Sequence, residues 1–116
     1  MRVLVCGGRD YTDRWRVFDV LDGRHAETPI SVVIEGGALG ADRSAYVWGY
    51  ERNIVVETYP ADWVNHGRSA GPIRNALMLT EGKPDLVIAF PGGRGTANMV
   101  SKARAAGVPV IEIKGE

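Results

Sequence analysis

The sequence predicts an α/β protein of three layers, α/β/α, in which helices cover both faces of a five-stranded parallel sheet. Short runs rich in Val and Ile recur along the chain, and longer segments with helical spacing separate them. The runs are continuously apolar, as at 86–90, which indicates strands that are buried on both faces. Strands that alternate with helices through short connections form a series of right-handed βαβ units.

Five segments are predicted as strands from their apolar and β-branched composition. They are residues 2–6, 32–35, 55–59, 85–90 and 108–113. We expect the strand order 3-2-1-4-5, with the first strand at the centre of the sheet. This order leaves a crevice at the carboxyl edge of the sheet, where the strand succession reverses and where ligands bind in such folds.

Four segments between the strands have the spacing of helices with one apolar face. The polar segment 60–67 interrupts this alternation and is typical of a functional loop or a tolerated insertion. The predicted helices, each with the residues expected to face the core, are 13–21 with Val17, Phe18 and Leu21; 41–52 with Ala41, Ala45 and Trp48; 68–80 with Ala70, Ile73 and Leu77; and 96–106 with Ala97, Val100 and Ala103.

Composition limits the classes of function. The 116 residues include 14 basic and 14 acidic side chains, so the formal net charge is zero, which argues against coating a long polyanion. One Cys and two His argue against a disulfide or a zinc-finger cluster, and we predict no metal and no cofactor. No apolar run approaches the roughly 20 residues of a membrane helix. We therefore expect one cytoplasmic domain, residues 1–116, without a membrane partner.

Three strand ends run into loops that contain a glycine pair. The pairs are Gly7-Gly8, Gly36-Gly37 and Gly92-Gly93. Because all three loops follow parallel strands, we expect them at the same edge of the sheet. With the strand order above, the first and third loops face each other across the crevice, and the second lies beside them.

The third loop, residues 91–96, carries the strongest signal for a ligand. Its glycines allow the backbone to approach a ligand closely, and Thr96 is expected to cap the helix that follows. The free amides and the positive end of that helix would form an anion site suited to phosphate, and Arg94 would add a charged contact. A tight turn that needs glycine for its backbone alone is the alternative. The loop lacks the Lys-Ser/Thr pair of a Walker A motif, and the first βα turn lacks G-x-G-x-x-G, which argues against ATP hydrolysis and hydride transfer from NAD.

These motifs resemble those of the SLOG superfamily of Rossmann-like proteins, which includes the LOG (Lonely-guy) and DprA branches. The sequence P-G-G-R-G-T at 91–96 resembles the P-G-G-x-G-T signature of the LOG phosphoribohydrolases. The segments G-G-R-D at 7–10, E-G-G-A-L-G-A-D at 35–42, P-A-D-W at 60–63 and A-G-P-I-R-N at 70–75 are most similar to the YspA, cpYpsA-related branch. The resemblance spans nearly the whole chain.

The resemblance implies a Rossmann-like fold that binds a nucleotide or a nucleotide derivative, often as a homodimer or higher homo-oligomer. We therefore predict a sensor or sequestering module for an ADP-ribose-like molecule or a nucleoside phosphate, with the phosphate on the third loop. Trp63 is expected to stack on the base. The residues predicted to bind the ligand are Gly7, Gly8, Arg9, Gly36, Gly37, Trp63, Arg74, Asn75, Pro91, Gly92, Gly93, Arg94, Gly95 and Thr96.

An N-glycosidase of the LOG type, which cleaves nucleoside monophosphates, is the first alternative function. Arg74 matches the Arg that those enzymes need, but their catalytic Glu is replaced by Met99. Cleavage through an oxocarbenium-like transition state would then need another carboxylate as acid or base. The candidates are Asp10, Glu35, Asp42 and Asp62, although Asp42 would also stabilise a helix N-terminus and Glu35 would also end a strand.

Single-stranded DNA binding is the second alternative, because the DprA branch shares the G-G-A-x-G-x-D loop. The neutral charge makes nucleic acid the less expected partner.

Four further side chains have predicted positions or roles. Tyr11 is a second candidate for stacking on a base, Trp15 and Trp48 are expected in the core or at a subunit interface, and Cys6 is expected to be a buried hydrophobe.

Overall fold

The computed structural model describes residues 1–115 and places a five-stranded parallel sheet at the centre of the chain. The strand order is β3-β2-β1-β4-β5, and every neighbouring pair is parallel. The predicted α/β class and strand order are therefore confirmed, and the crevice lies between β1 and β4. The strands are β1 (Arg2–Cys6), β2 (Val32–Glu35), β3 (Val55–Thr58), β4 (Leu86–Ala89) and β5 (Val110–Glu112).

Five α-helices connect the strands. They are α1 (Arg14–Glu27), α2 (Ala41–Glu51), α3 (Trp63–His66), α4 (Ala70–Thr80) and α5 (Arg94–Ala105), and a 3₁₀ turn, Gly67–Ser69, joins α3 to α4. The short helix α3 lies within the segment that the sequence indicated as a loop. Asp62 begins it by accepting a hydrogen bond from the backbone amide of Asn65 at 3.1 Å, which is an N-cap. None of the helices within residues 1–115 has the length and apolar character that crossing a membrane requires.

Two apolar clusters cover the two faces of the sheet, as the three-layer prediction requires. Alternate residues of β1 divide between them, with Val3 and Val5 on one face and Leu4 and Cys6 on the other. The helices α1 and α2 pack on the first face, and α4 and α5 on the second. Trp48 is fully buried in the first cluster, which confirms its predicted core position.

Helix α1 is longer than predicted. It continues past residue 21 to Glu27. Asp22 accepts a hydrogen bond from the indole Nε1 of Trp48 at 2.8 Å, and basic side chains in the last turn suit the negative end of the helix. Trp15, near the start of the helix, is 79% exposed, so it lies outside the core, and its alternative position at a subunit interface stays a prediction. Its edge contacts the ring of Phe18.

The buried face of α4 differs from the predicted one. Ile73 and Leu77, which were expected in the core, are exposed, whereas Asn75 and Met78 are buried. The side-chain amide of Asn75 donates to the backbone carbonyl of Gly95 and to Asn98 Oδ1, both at 3.1 Å. Because these bonds satisfy the buried amide, the helix turns a polar residue toward α5. Apolar spacing alone does not reveal such a bond.

The buried face of α5 is also shifted. Ala97 was expected in the core and is exposed, whereas Met99 is fully buried beside Val100 and Ala103. Met99 packs in the second cluster with Leu4 and Met78. Burying the long Met side chain removes more apolar surface from water than burying Ala would. The position that carries the LOG glutamate therefore lies in the core of this chain.

We predict that Met99→Glu lowers the free energy of unfolding by at least about 3 kcal/mol, because it places a carboxyl group in an apolar cluster that offers it no partner. Ala97→Glu is the matched control on the same helix and should change stability by no more than about 0.5 kcal/mol. Urea denaturation followed by circular dichroism measures both. Equal effects at the two positions would contradict the assigned helix face.

Candidate functional site

A cleft of about 490 Å³ lies at the carboxyl edge of the sheet. Its volume is in the range of sites for small molecules. The first, second and third glycine loops all contribute to its wall, as the strand order predicted. The residues that line it are Gly7, Gly8, Arg9, Gly36, Gly37, Ala38, Leu39, Pro60, Ala61, Trp63, Arg74, Gly93 and Thr96.

The loops at this edge pack directly on one another. The backbone amide of Gly8 donates to the carbonyl of Pro91 at 2.9 Å, and the carbonyl of Gly8 accepts from the amide of Ala41 at 3.3 Å. A Cβ added at Gly92 would lie 2.6 Å from the Gly8 nitrogen, so this approach requires glycine. Gly93 is different, because a Cβ there would meet no heavy atom within 4 Å. Packing thus explains why residue 92 is a glycine, but it does not explain why residue 93 is a glycine.

The second loop satisfies three of its own backbone donors. Asp42 Oδ2 accepts from the amides of Gly36 at 3.1 Å and Ala38 at 3.3 Å. Glu35 Oε1 accepts from the amide of Gly37 at 2.8 Å, and its other oxygen accepts from the hydroxyl of Thr58. The carboxyl groups of Glu35 and Asp42 therefore hold this loop in place, and the amides of Gly36, Gly37 and Ala38 are not available to a ligand.

The third loop leaves its donors unused. The amides of Gly93, Arg94, Gly95 and Thr96 have no acceptor among residues 1–115, and the first bond of the helix runs from Ala97 N to Gly93 O at 3.0 Å. The N-cap is Gly93, without a side-chain cap. The prediction that Thr96 caps the helix is wrong, because α5 begins at Arg94. Unpaired amides at the positive end of a helix form an anion site.

Two of the three predicted arginines meet at the cleft. Arg74 Nη1 donates to the carbonyl of Gly36 at 2.6 Å, and its Nε donates to Asn75 Oδ1 at 3.0 Å, so the guanidinium group is held in place. Its Nη2 has no partner among the described residues. Arg9 lines the cleft and is exposed. Arg94 is exposed at the start of α5 and does not line the cleft.

The other predicted site residues lie around the cleft. Asn75 is buried behind it and joins α4 to α5. Pro91 and Gly92 line a neighbouring depression of about 550 Å³ with Asp10 and Tyr11. Gly95 lies in the first turn of α5 and does not line the cleft.

The sequence reasoning missed Leu39, which lines the cleft and is 63% exposed. A large apolar side chain between the glycines of the second loop was the available signal. Trp63, on the same cleft, is 60% exposed and had been predicted as a binding residue.

Burial sets the acid–base properties of the groups behind the cleft. Burial raises the pKa of Asp42 to about 7 and also raises the pKa of Glu35, although hydrogen bonds to both groups oppose the shift. Burial raises the pKa of the Cys6 thiol to about 12, which suits the predicted inert, buried residue. Asp62 is exposed, and the hydrogen bonds from Asn65 lower its pKa.

The raised pKa of Asp42 predicts a loss of stability as the pH rises. Between its ordinary value of 3.8 and about 7, the unfolded chain releases this proton while the folded chain retains it. From pH 5 to pH 8 the wild type should therefore lose roughly 3 kcal/mol relative to Asp42→Asn, whose carbonyl oxygen can still accept both amide bonds.

Urea denaturation at several pH values measures this difference. Asp62→Asn is the control, because the pKa of Asp62 is lowered and its contribution to stability is instead lost as the pH falls. A difference between wild type and Asp42→Asn that stays constant with pH would contradict the prediction.

Comparison with known proteins supports the fold. The X-ray structure of DNA processing protein A (DprA) from Streptococcus pneumoniae matches 99% of this chain with a TM-score of 0.81, at 18% sequence identity. The chain spans half of that DprA chain, since 50% of it is covered. At this identity, the likeness shows a shared Rossmann-like fold.

Two sequence comparisons identify the family. The Gene 61 protein of Mycobacterium phage D29 is 42% identical over 118 residues, which cover 95% of this chain and 94% of that protein. The sequence profile of the YspA, cpYpsA-related SLOG family matches residues 1–66, a range that contains the first and second glycine loops and the P-A-D-W segment. With more than half of its length matched and both glycine loops at the sheet edge, this chain belongs to the YspA, cpYpsA-related SLOG family.

Proposed function

We propose that the cleft binds a nucleotide or a nucleotide-derived ligand and holds the ligand's phosphate on the first turn of α5. One observation carries the proposal. Four successive amides, from Gly93 to Thr96, have no acceptor among residues 1–115, and they begin the helix where Gly93 and Thr96 line the cleft. Phosphate oxygens are suited to accept from such amides at the positive end of a helix.

The charged groups of the cleft support a phosphate. Arg74 is fixed by its bonds to Gly36 and Asn75, so it would lose little conformational freedom on binding an anion. Arg9 would approach from the first loop, on the opposite wall. Among residues 1–115, no acidic side chain lines the cleft. A phosphate there would contact two guanidinium groups, while the nearby carboxyl groups of Glu35 and Asp42 lie behind the cleft and interact with Arg74.

Two exposed apolar side chains of the cleft are suited to contact a nucleobase. Trp63 and Leu39 line the cleft with more than half of each side chain exposed, at 60% and 63%. Stacking a nucleobase on the indole ring would bury part of this surface and is tolerant of base identity. The ligand would thus lie with its base toward α3 and the second loop, and its phosphate toward α5.

The positions of the carboxyl groups support a protein that binds the ligand without cleaving it. Glu35 and Asp42 are engaged with the amides of the second loop, and Asp62 caps α3. Asp10 lines the neighbouring depression rather than the cleft. Met99, at the position of the LOG glutamate, lies in the core. This placement supports a sensor or sequestering module.

We predict that Gly93→Asp removes binding of nucleoside 5′-monophosphates while the chain stays folded. The φ of Gly93 is negative, at −99°, and a Cβ there would meet no heavy atom within 4 Å, so the new carboxylate would occupy the anion site without a clash. A ligand at 100 times its dissociation constant stabilises the wild type by about 2.7 kcal/mol, and this thermal shift should vanish in the variant.

Ala97→Asp is the matched control for this substitution. It adds the same charge to the same helix, at an exposed residue that does not line the cleft and whose amide already donates to the carbonyl of Gly93. Most of the thermal shift should remain. An intact shift in Gly93→Asp, or an equal loss in both variants, would contradict the anion site.

We also predict that incubation with each nucleoside monophosphate releases no more free base than incubation with the Arg74→Ala variant does, because no carboxylate lines the cleft to serve as acid or base. Chromatography of the products measures this. Base release by the wild type above that of the variant would instead favour the N-glycosidase.

A further inference from the structure

A second depression, of about 350 Å³, lies beside the cleft, between the first loop and the first turns of α1 and α2. We call it the arginine depression, because Arg9, Arg14 and Arg43 line it together with the hydroxyl residues Thr12 and Ser44. No acidic side chain is among its lining residues. Three positive charges thus share one concave surface.

None of the three guanidinium groups makes a hydrogen bond or an ion pair within residues 1–115. Arg43 lies over the ring of Tyr46, at 5.8 Å from its centroid, and its charge interacts with the carboxyl group of Glu35 only at a longer range than an ion pair. Arg14 also begins α1, where the helix dipole disfavours a positive charge. Other arginines are paired, namely Arg2 with Glu57, Arg52 with Asp22 and Arg104 with Glu112. An anion would relieve the repulsion among the three unpaired groups.

Ser44 gives an independent indication of a ligand. The residue is only 4% exposed and lines the depression, yet its hydroxyl has no hydrogen-bond partner among the described residues. No fully enclosed side-chain oxygen or nitrogen in that part of the chain lacks a partner, so this hydroxyl opens into the depression. A nearly buried polar group without a partner is costly unless a ligand or water satisfies it.

The depression and the cleft are adjacent, because Arg9 and Leu39 line both. A ligand whose base and first phosphate occupy the cleft would therefore reach Arg14, Arg43 and Ser44 by extending past Arg9.

We propose that the arginine depression is a second phosphate subsite, and that the ligand is a nucleotide with a second phosphate group, such as a nucleoside diphosphate or a pyrophosphate-linked nucleotide. This inference rests on the proposed function of the cleft. The zero net charge of the chain and the limited volume of the depression favour a small ligand over a nucleic-acid strand.

Calorimetric titration of the full chain tests the inference. The probes are the four nucleoside 5′-monophosphates, their diphosphates and ADP-ribose. We expect at least one probe with two phosphates to bind about tenfold more tightly than its monophosphate. Arg14→Gln and Arg43→Gln should each lower the affinity for that probe about tenfold and keep the affinity for the monophosphate within about twofold of the wild-type value.

Arg24→Gln is the control variant, since it removes the same charge near the end of α1, away from both sites. It should leave both affinities unchanged. The second subsite would be overturned if monophosphates bind and a second phosphate adds no affinity. It would also be overturned if all three variants lose the same affinity for the probe with two phosphates. Both outcomes would leave the cleft proposal intact. Failure of every probe to bind would overturn both. Tighter binding of single-stranded oligothymidylate, lost in Arg14→Gln and Arg43→Gln, would overturn the small ligand in favour of DNA.

Discussion

The site depends on the contact of the first loop with the third, where the amide of Gly8 donates to the carbonyl of Pro91. This bond joins the ends of β1 and β4, the two strands between which the strand succession reverses. Glycine at 92 lets the two backbones approach closely enough to form it. The positive end of α5 is therefore held against the first loop, and the free amides and Arg9 come to share one cleft.

The second and third loops leave parallel strands at the same edge and yet differ in chemistry. The second carries its own acceptors, Glu35 and Asp42, which accept hydrogen bonds from three of its amides. The third has no acidic residue, and the four amides from Gly93 to Thr96 have no acceptor among residues 1–115. A carboxyl group within a glycine loop thus distinguishes a loop that binds its own amides from one that leaves them free.

The sequence predicted the layers and the strand order, because continuous apolar strands and short connections restrict the topology strongly. The prediction was wrong where a polar contact determines which face of a helix is buried or where the helix begins. Asn75 turns toward α5 through hydrogen bonds that spacing does not reveal, and α5 begins at Arg94 because Gly93 is its N-cap. The meeting of Arg9 and Arg74 at the cleft followed from strand order, whereas the position of Arg94 outside it depends on where one helix begins. The nucleotide, the homo-oligomer and the cytoplasmic location stay predictions.

The neighbouring glycines at 92 and 93 differ in what a side chain at each position would contact. A side chain at 92 would strike the first loop, so that position is tied to the folding of the sheet edge. A side chain at 93 meets only open space in the cleft, so its size and charge can change there without disturbing the core. Under the proposed function, ligand preference among related chains would therefore change at position 93 with little loss of thermal stability, whereas position 92 would stay glycine because the sheet edge needs it to fold.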